Sequence, residues 1–257
     1  MCQNSYEELV HIMLEHGGML EKLDKMEAES NQQAKLAMLQ ALDIGISIQA
    51  ERYRHWYRDF IKEHGRPLRI LPNDAFPDSD SLLQDANFTQ SFMFDDFLTC
   101  QSLTHLWCGH LFLVDVASHC YFAASKLCPA LNRLFGFAKY LQQEEDLFDF
   151  VSGTEFSGLW DKADQLAEMV CMAIPYYANE DLGAVAANST IPISWVARKY
   201  YGTRVSLGNI EYQGRRDWCE RALDEMARRR MGGENQNMPE EREFDGRSGY
   251  RDFLMSS

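Results

Sequence analysis

The chain has no basic surplus, no long uncharged apolar run and no paired-cysteine motif. With 25 Lys and Arg against 39 Asp and Glu, its formal charge is −14 over 257 residues. Such a field repels phosphate backbones and anionic headgroups, so direct nucleic-acid binding and membrane-surface binding are not expected. The most apolar stretch, Leu106 to Leu127, is interrupted by His110, Asp115, His119 and Lys126. Placing these near a bilayer centre would cost several kcal/mol in sum, so a buried core helix is expected there rather than a membrane span. The first 15 residues carry Glu7, Glu8 and His11 in place of a basic segment followed by an apolar one, which predicts a chain that is not secreted. Seven cysteines, at 2, 100, 108, 120, 128, 171 and 219, are nowhere arranged as Cys-x-x-Cys. They read as reduced thiols, and a cytoplasmic or nuclear compartment follows. There is no glycine-rich phosphate loop, nucleophile elbow or His-Glu-x-x-His. Nucleotide-dependent enzymes, serine hydrolases and zincins therefore lack support.

What is present is apolar and helical. Hydrophobic residues make up 46% of the chain and aromatics 12%, enough for a substantial core. Ser5 and Glu8 have capping-box spacing and begin a first helix, which Gly17-Gly18 should end. Leu36, Leu39, Leu42, Ile46, Tyr53, Trp56, Tyr57 and Phe60 follow a helical repeat from Asn31 to His64, closed by Gly65-Arg66-Pro67. Residues 65 to 90, with Pro67, Pro72 and Pro77, predict a long connection. A nearly all-apolar helix, with a break, is expected from Gln90 to Ser125, and such a helix belongs at the centre of a fold. Further helices are expected after Pro129 through Leu141, from Asp161 to Tyr176, from Pro192 through Tyr201 and from Ile210 to Met231. No strand alternation or internal repeat is evident. The expected fold is all-α, a single globular bundle of about eight helices over residues 1–232, followed by a polar tail over 233–257 that is expected to be disordered or loosely docked.

Several segments carry a resemblance. Ala163-Asp164-Gln165-Leu166 through Pro175-Tyr176-Tyr177, then Gly183, Pro192 and Trp218-Cys219-Glu220, resemble the C-terminal effector half of fungal regulators that have a six-cysteine binuclear zinc cluster. In that family a helix ending near Pro-Tyr precedes an acidic turn, a short helix entered at proline, and a last helix bearing Trp-Cys and a basic end. Arg228-Arg229-Arg230-Met231-Gly232 stands at that end here, and Leu103-Thr104-His105-Leu106-Trp107-Cys108 resembles the family's central helix. The likeness extends over most of residues 30 to 232. The zinc cluster itself is absent, because Cys100, Cys108, Cys120 and Cys128 are too widely spaced to hold two metals through shared thiolates. Three readings remain open: a fragment of a regulator, a stand-alone regulatory relative, or a copy of the domain reused for small-molecule chemistry.

The candidate chemistry is concentrated on the central helix. Asp115 and His119, four residues apart, share one helix face, and a carboxylate beside an imidazole can fix its tautomer for proton transfer. A satisfied buried polar pair joining helices is the alternative. No metal site is expected, since His110 lies roughly two and a half turns from His119. Trp107, His110, Tyr121, Tyr177, Trp195, Arg198 and Tyr201 are the candidate lining of a cavity for a hydrophobic small molecule, the alternative being plain core. Arg215, Arg216, Arg221 and Arg228 to Arg230 are interleaved with acidic residues, and the last three sit at a helix C-terminus where cations complement the dipole, so a structural role is expected. Asp95-Asp96 has the form of half a magnesium–diphosphate motif, but Thr99 follows where a third acid would stand.

Together these features imply a regulatory or ligand-binding protein without its own DNA-binding module or cofactor. It would hold a hydrophobic molecule or a protein partner, as a homodimer or as a heterodimer with a regulator. The competing expectation is a cofactor-free isomerase, cyclase or lyase of secondary metabolism, using the same cavity with His119 and Asp115 as the acid–base pair.

Overall fold

A computed structural model describes residues 2–65, 68–72, 87–127, 159–178 and 183–230. These are predominantly helical, with seven α-helices, one 3-10 turn and a two-stranded sheet. The helices are α1 (Cys2–Leu14), α2 (His16–Ala28), α3 (Gln32–His64), α4 (Phe97–Leu127), α5 (Leu159–Tyr177), α6 (Gly183–Ser206) and α7 (Gln213–Arg230). The expected helix after Pro129 and the expected tail over 233–257 lie outside the described residues. Internal contacts divide the chain into two units, Gln3–Gly65 with Gly109–Gln165 and Arg66–Cys108 with Leu166–Ser257.

In the first unit, local chemistry sets the ends of α3. The Asn31 side chain accepts hydrogen bonds from the Gln33 and Ala34 amides at 2.9 and 3.1 Å, and Gly65 ends the helix at φ 71°, its N–H donating to the Ile61 carbonyl. The inner face of α3 buries Leu39, Leu42, Ile46, Tyr53, Trp56, Tyr57 and Phe60, in the same unit as Leu9, Ile12, Leu23 and Met26. The first helix starts earlier than Ser5 and stops earlier than Gly17-Gly18, which sit in the first turn of α2. The boundary falls at Glu15, and His16 just beyond it is fully buried against Tyr53 and Phe112. Gly109 on α4 has a steric purpose: a methyl group there would lie 2.5 Å from the Tyr53 hydroxyl.

The second unit corrects the all-α expectation. Leu68–Pro72 (β1) pairs antiparallel with Gln90–Phe94 (β2), Leu68 opposite Phe94 and Pro72 opposite Gln90. Proline is tolerated because each strand of a two-stranded ribbon has an unpaired edge. Alternation was not legible because the two polar members of β2, Gln90 and Ser91, are adjacent and Ser91 is buried beside Phe92. The following helix is unbroken over its 31 residues. Asp96 starts it, one carboxylate oxygen accepting from the Thr99 amide at 2.8 Å and the other from the Thr99 hydroxyl at 2.9 Å. This is the structural work of Asp96. Pro192 is not a first-turn proline, since α6 begins nine residues before it at Gly183. The last α-helix begins at Gln213, after a 3-10 turn over Ile210–Tyr212. Its Trp218, Ala222 and Met226 are buried as its periodicity requires, and Leu223 is half-buried.

Candidate functional site

The nine candidate residues fall in both units: His110, Asp115, His119 and Tyr121 in the first, Trp107, Tyr177, Trp195, Arg198 and Tyr201 in the second. No helix among the described residues is long and apolar enough to cross a membrane.

In the first unit, α4 turns His119 outward. Its side chain is 43% exposed, and its Nδ1 lies 2.8 Å from Oε1 of Glu27, a carboxylate brought from α2. The carboxylate partner of His119 is thus Glu27, 92 positions away in sequence, while Asp115 is half-buried one turn earlier. Tyr121 is also exposed, edge-on to Phe122 at 5.9 Å. His110 faces inward and is fully buried, its ring 5.0 Å from that of Tyr53. Tyr53 in turn is hydrogen-bonded to His16 Nε2 at 2.7 Å, and the His16 ring stacks on Phe112 at 4.1 Å. Burial pushes both imidazoles down to about 3, helped for His16 by His110 and for His110 by the Arg54 guanidinium. The first unit therefore contains two interior histidines that stay uncharged at neutral pH.

In the second unit, Trp107 is fully buried against Phe92 and Phe94, at ring separations of 5.5 and 6.4 Å. Its indole N–H has no hydrogen-bond acceptor among the described residues. One turn earlier, Thr104 Oγ1 lies 2.6 Å from the Tyr177 hydroxyl and donates to the Cys100 carbonyl at 2.8 Å. Burial raises the Tyr177 phenol well above its ordinary value and does the same to the Cys100 and Cys108 thiols beside it. Trp195 is half-buried. Arg198 forms an ion pair with Glu220 at 3.0 Å, and Arg216 shares the same carboxylate at 3.3 Å. Tyr201 is fully buried and stacks with Tyr212 at 5.9 Å, under the Arg215 guanidinium.

Around Tyr201 three helices converge. Glu168 and Cys171 of α5 meet Arg215 and Cys219 of α7, with Arg215 Nη1 3.3 Å from Glu168 Oε2 and the two sulfurs 3.6 Å apart. The spacings 168/171 and 215/219 each put two side chains on one helix face. Burial, followed by the Cys219 thiol, raises Cys171 well above the ordinary thiol range. Sequence reasoning treated these cysteines as unconnected core residues and did not single out Glu27, His16 or Tyr53 as partners. The available signal was a histidine in the apolar stripe of α2.

Chemically, both interiors are predominantly apolar, although Lys162 and Glu225 are also buried, and the half-exposed His119–Glu27 pair is the arrangement suited to moving a proton. Among the described residues no three His, Cys, Asp or Glu side chains converge as metal ligands. No family model, curated protein or solved structure matches the chain.

Proposed function

We propose that the chain is a regulatory or ligand-binding protein, similar to the effector domain of fungal zinc-cluster regulators and without a DNA-reading module. In this proposal it forms one bundle of about eight helices over residues 1–232. It acts in the cytoplasm or nucleus and holds a hydrophobic small molecule or a protein partner, as a homodimer or with a regulator. One observation supports it most: the interior imidazoles His16 and His110 are held in uncharged forms by burial. An interior of that kind favours binding of apolar surface over charge-dependent chemistry. Native mass spectrometry of the purified protein, followed by extraction, tests it. A retained apolar molecule or a dimer is expected; an empty monomer would overturn the proposal.

A second reading, a cofactor-free isomerase, cyclase or lyase, is favoured by the 2.8 Å contact of His119 with Glu27, in which a carboxylate orients an imidazole. On that reading the extracted molecule is converted by the wild type, and His119→Ala abolishes turnover with its helical circular dichroism intact. Conversion by the variant at the wild-type rate removes the assignment.

A further inference from the structure

We propose that Cys171 and Cys219 are a disulfide-forming pair, a modification site that a two-electron oxidant such as hydrogen peroxide closes to tie α5 to α7. Their sulfurs are 3.6 Å apart on helices whose cysteines are 48 positions apart in sequence, and both residues are fully buried. A disulfide needs about 2.05 Å, so the sulfurs must approach by roughly 1.5 Å, within reach of small side-chain rotations. Cys100 and Cys108 share α4 eight residues apart, about 12 Å along its axis.

The reaction balances simply. One thiolate sulfur attacks a peroxide oxygen, the O–O bond breaks and hydroxide leaves, giving a sulfenic acid. The second thiolate then attacks that sulfur, the S–O bond breaks, and a second hydroxide leaves. With the two thiol protons, peroxide becomes two waters, and the two cysteines have lost two electrons. The surroundings set the pace. Burial keeps Cys171 a thiol, while the Arg215 guanidinium works in the opposite direction, towards the thiolate. Because neither sulfur is exposed, oxidation proceeds through local opening of α5 and α7, and the closed bond then limits that opening.

Stepwise peroxide titration of the full chain, with denaturing alkylation and peptide mapping without reductant, tests this. Methionine oxidation in the same digests gauges the dose. Expected is a peptide pair linked through Cys171 and Cys219, lighter by two hydrogens, appearing before general methionine oxidation and removed by dithiothreitol. The thermal midpoint of the oxidised chain should exceed that of the reduced chain. Cys171→Ser should abolish the linked peptide and leave Cys219 alkylated. The proposal is overturned if both residues remain singly alkylated at doses that oxidise the methionines, or if either is found linked to another cysteine or chain.

Discussion

Gly109 and Tyr53 show how one residue can govern an interior. The Tyr53 hydroxyl is anchored at 2.7 Å to His16, so the ring has little freedom to yield to a methyl group placed 2.5 Å from its oxygen. Gly109→Ala should therefore destabilise the protein by about 1–3 kcal/mol through overpacking, although alanine is the better helix former. Tyr53→Phe removes one partner of a buried imidazole and should cost about 1–2 kcal/mol. Urea titrations followed by circular dichroism measure both; a stabilising Gly109→Ala would show that the ring can move. Neither effect could be read from the residues themselves, since Gly109 is an unremarkable member of an apolar run until Tyr53 arrives from 56 positions earlier.

At the scale of elements, what was legible followed the range of the signal. The boundaries of α3 were readable because its cap, Asn31, and its terminator, Gly65, act within a few residues. Asn31→Ala should cost about 1 kcal/mol, measured by the same titrations, whereas Asn31→Asp should retain most of the cap. Elements set by distant partners were misread. The β1–β2 ribbon depends on pairing across a long connection, and Pro192 lies inside α6 rather than at its start. The proline removes one N–H from the ladder, yet the helix continues past it, a balance of local and tertiary terms that periodicity does not carry.

At the scale of the whole molecule, acid sensitivity follows from the interior histidines. Burial lowers His16 and His110 to about 3 and His105 to about 4, from an unfolded value near 6.5. Between these limits the unfolded chain binds protons that the folded chain does not, so stability falls as pH falls. Each histidine contributes up to about 1.4 kcal/mol per pH unit below 6.5 and nothing above it. Unfolding midpoints in urea should therefore be level from pH 7 to 8 and decline steeply from 6 to 4.5. A flat profile across that range would show that the imidazoles are hydrated.

Composition and periodicity by themselves determined a predominantly helical chain with an apolar central helix, because burial of a helix face writes a repeat that is local in sequence. The repeat also located the buried face of α3, Leu39, Leu42, Ile46, Tyr53, Trp56, Tyr57 and Phe60, although Leu36 in the same repeat is half-buried. Tertiary structure alone decided which polar groups meet. It joined His119 to Glu27 rather than to Asp115, His16 to Tyr53, and Cys171 to Cys219. Pairing across tens of residues depends on how helix faces pack, and each of these side chains is an ordinary member of its own helix until the partner is in place.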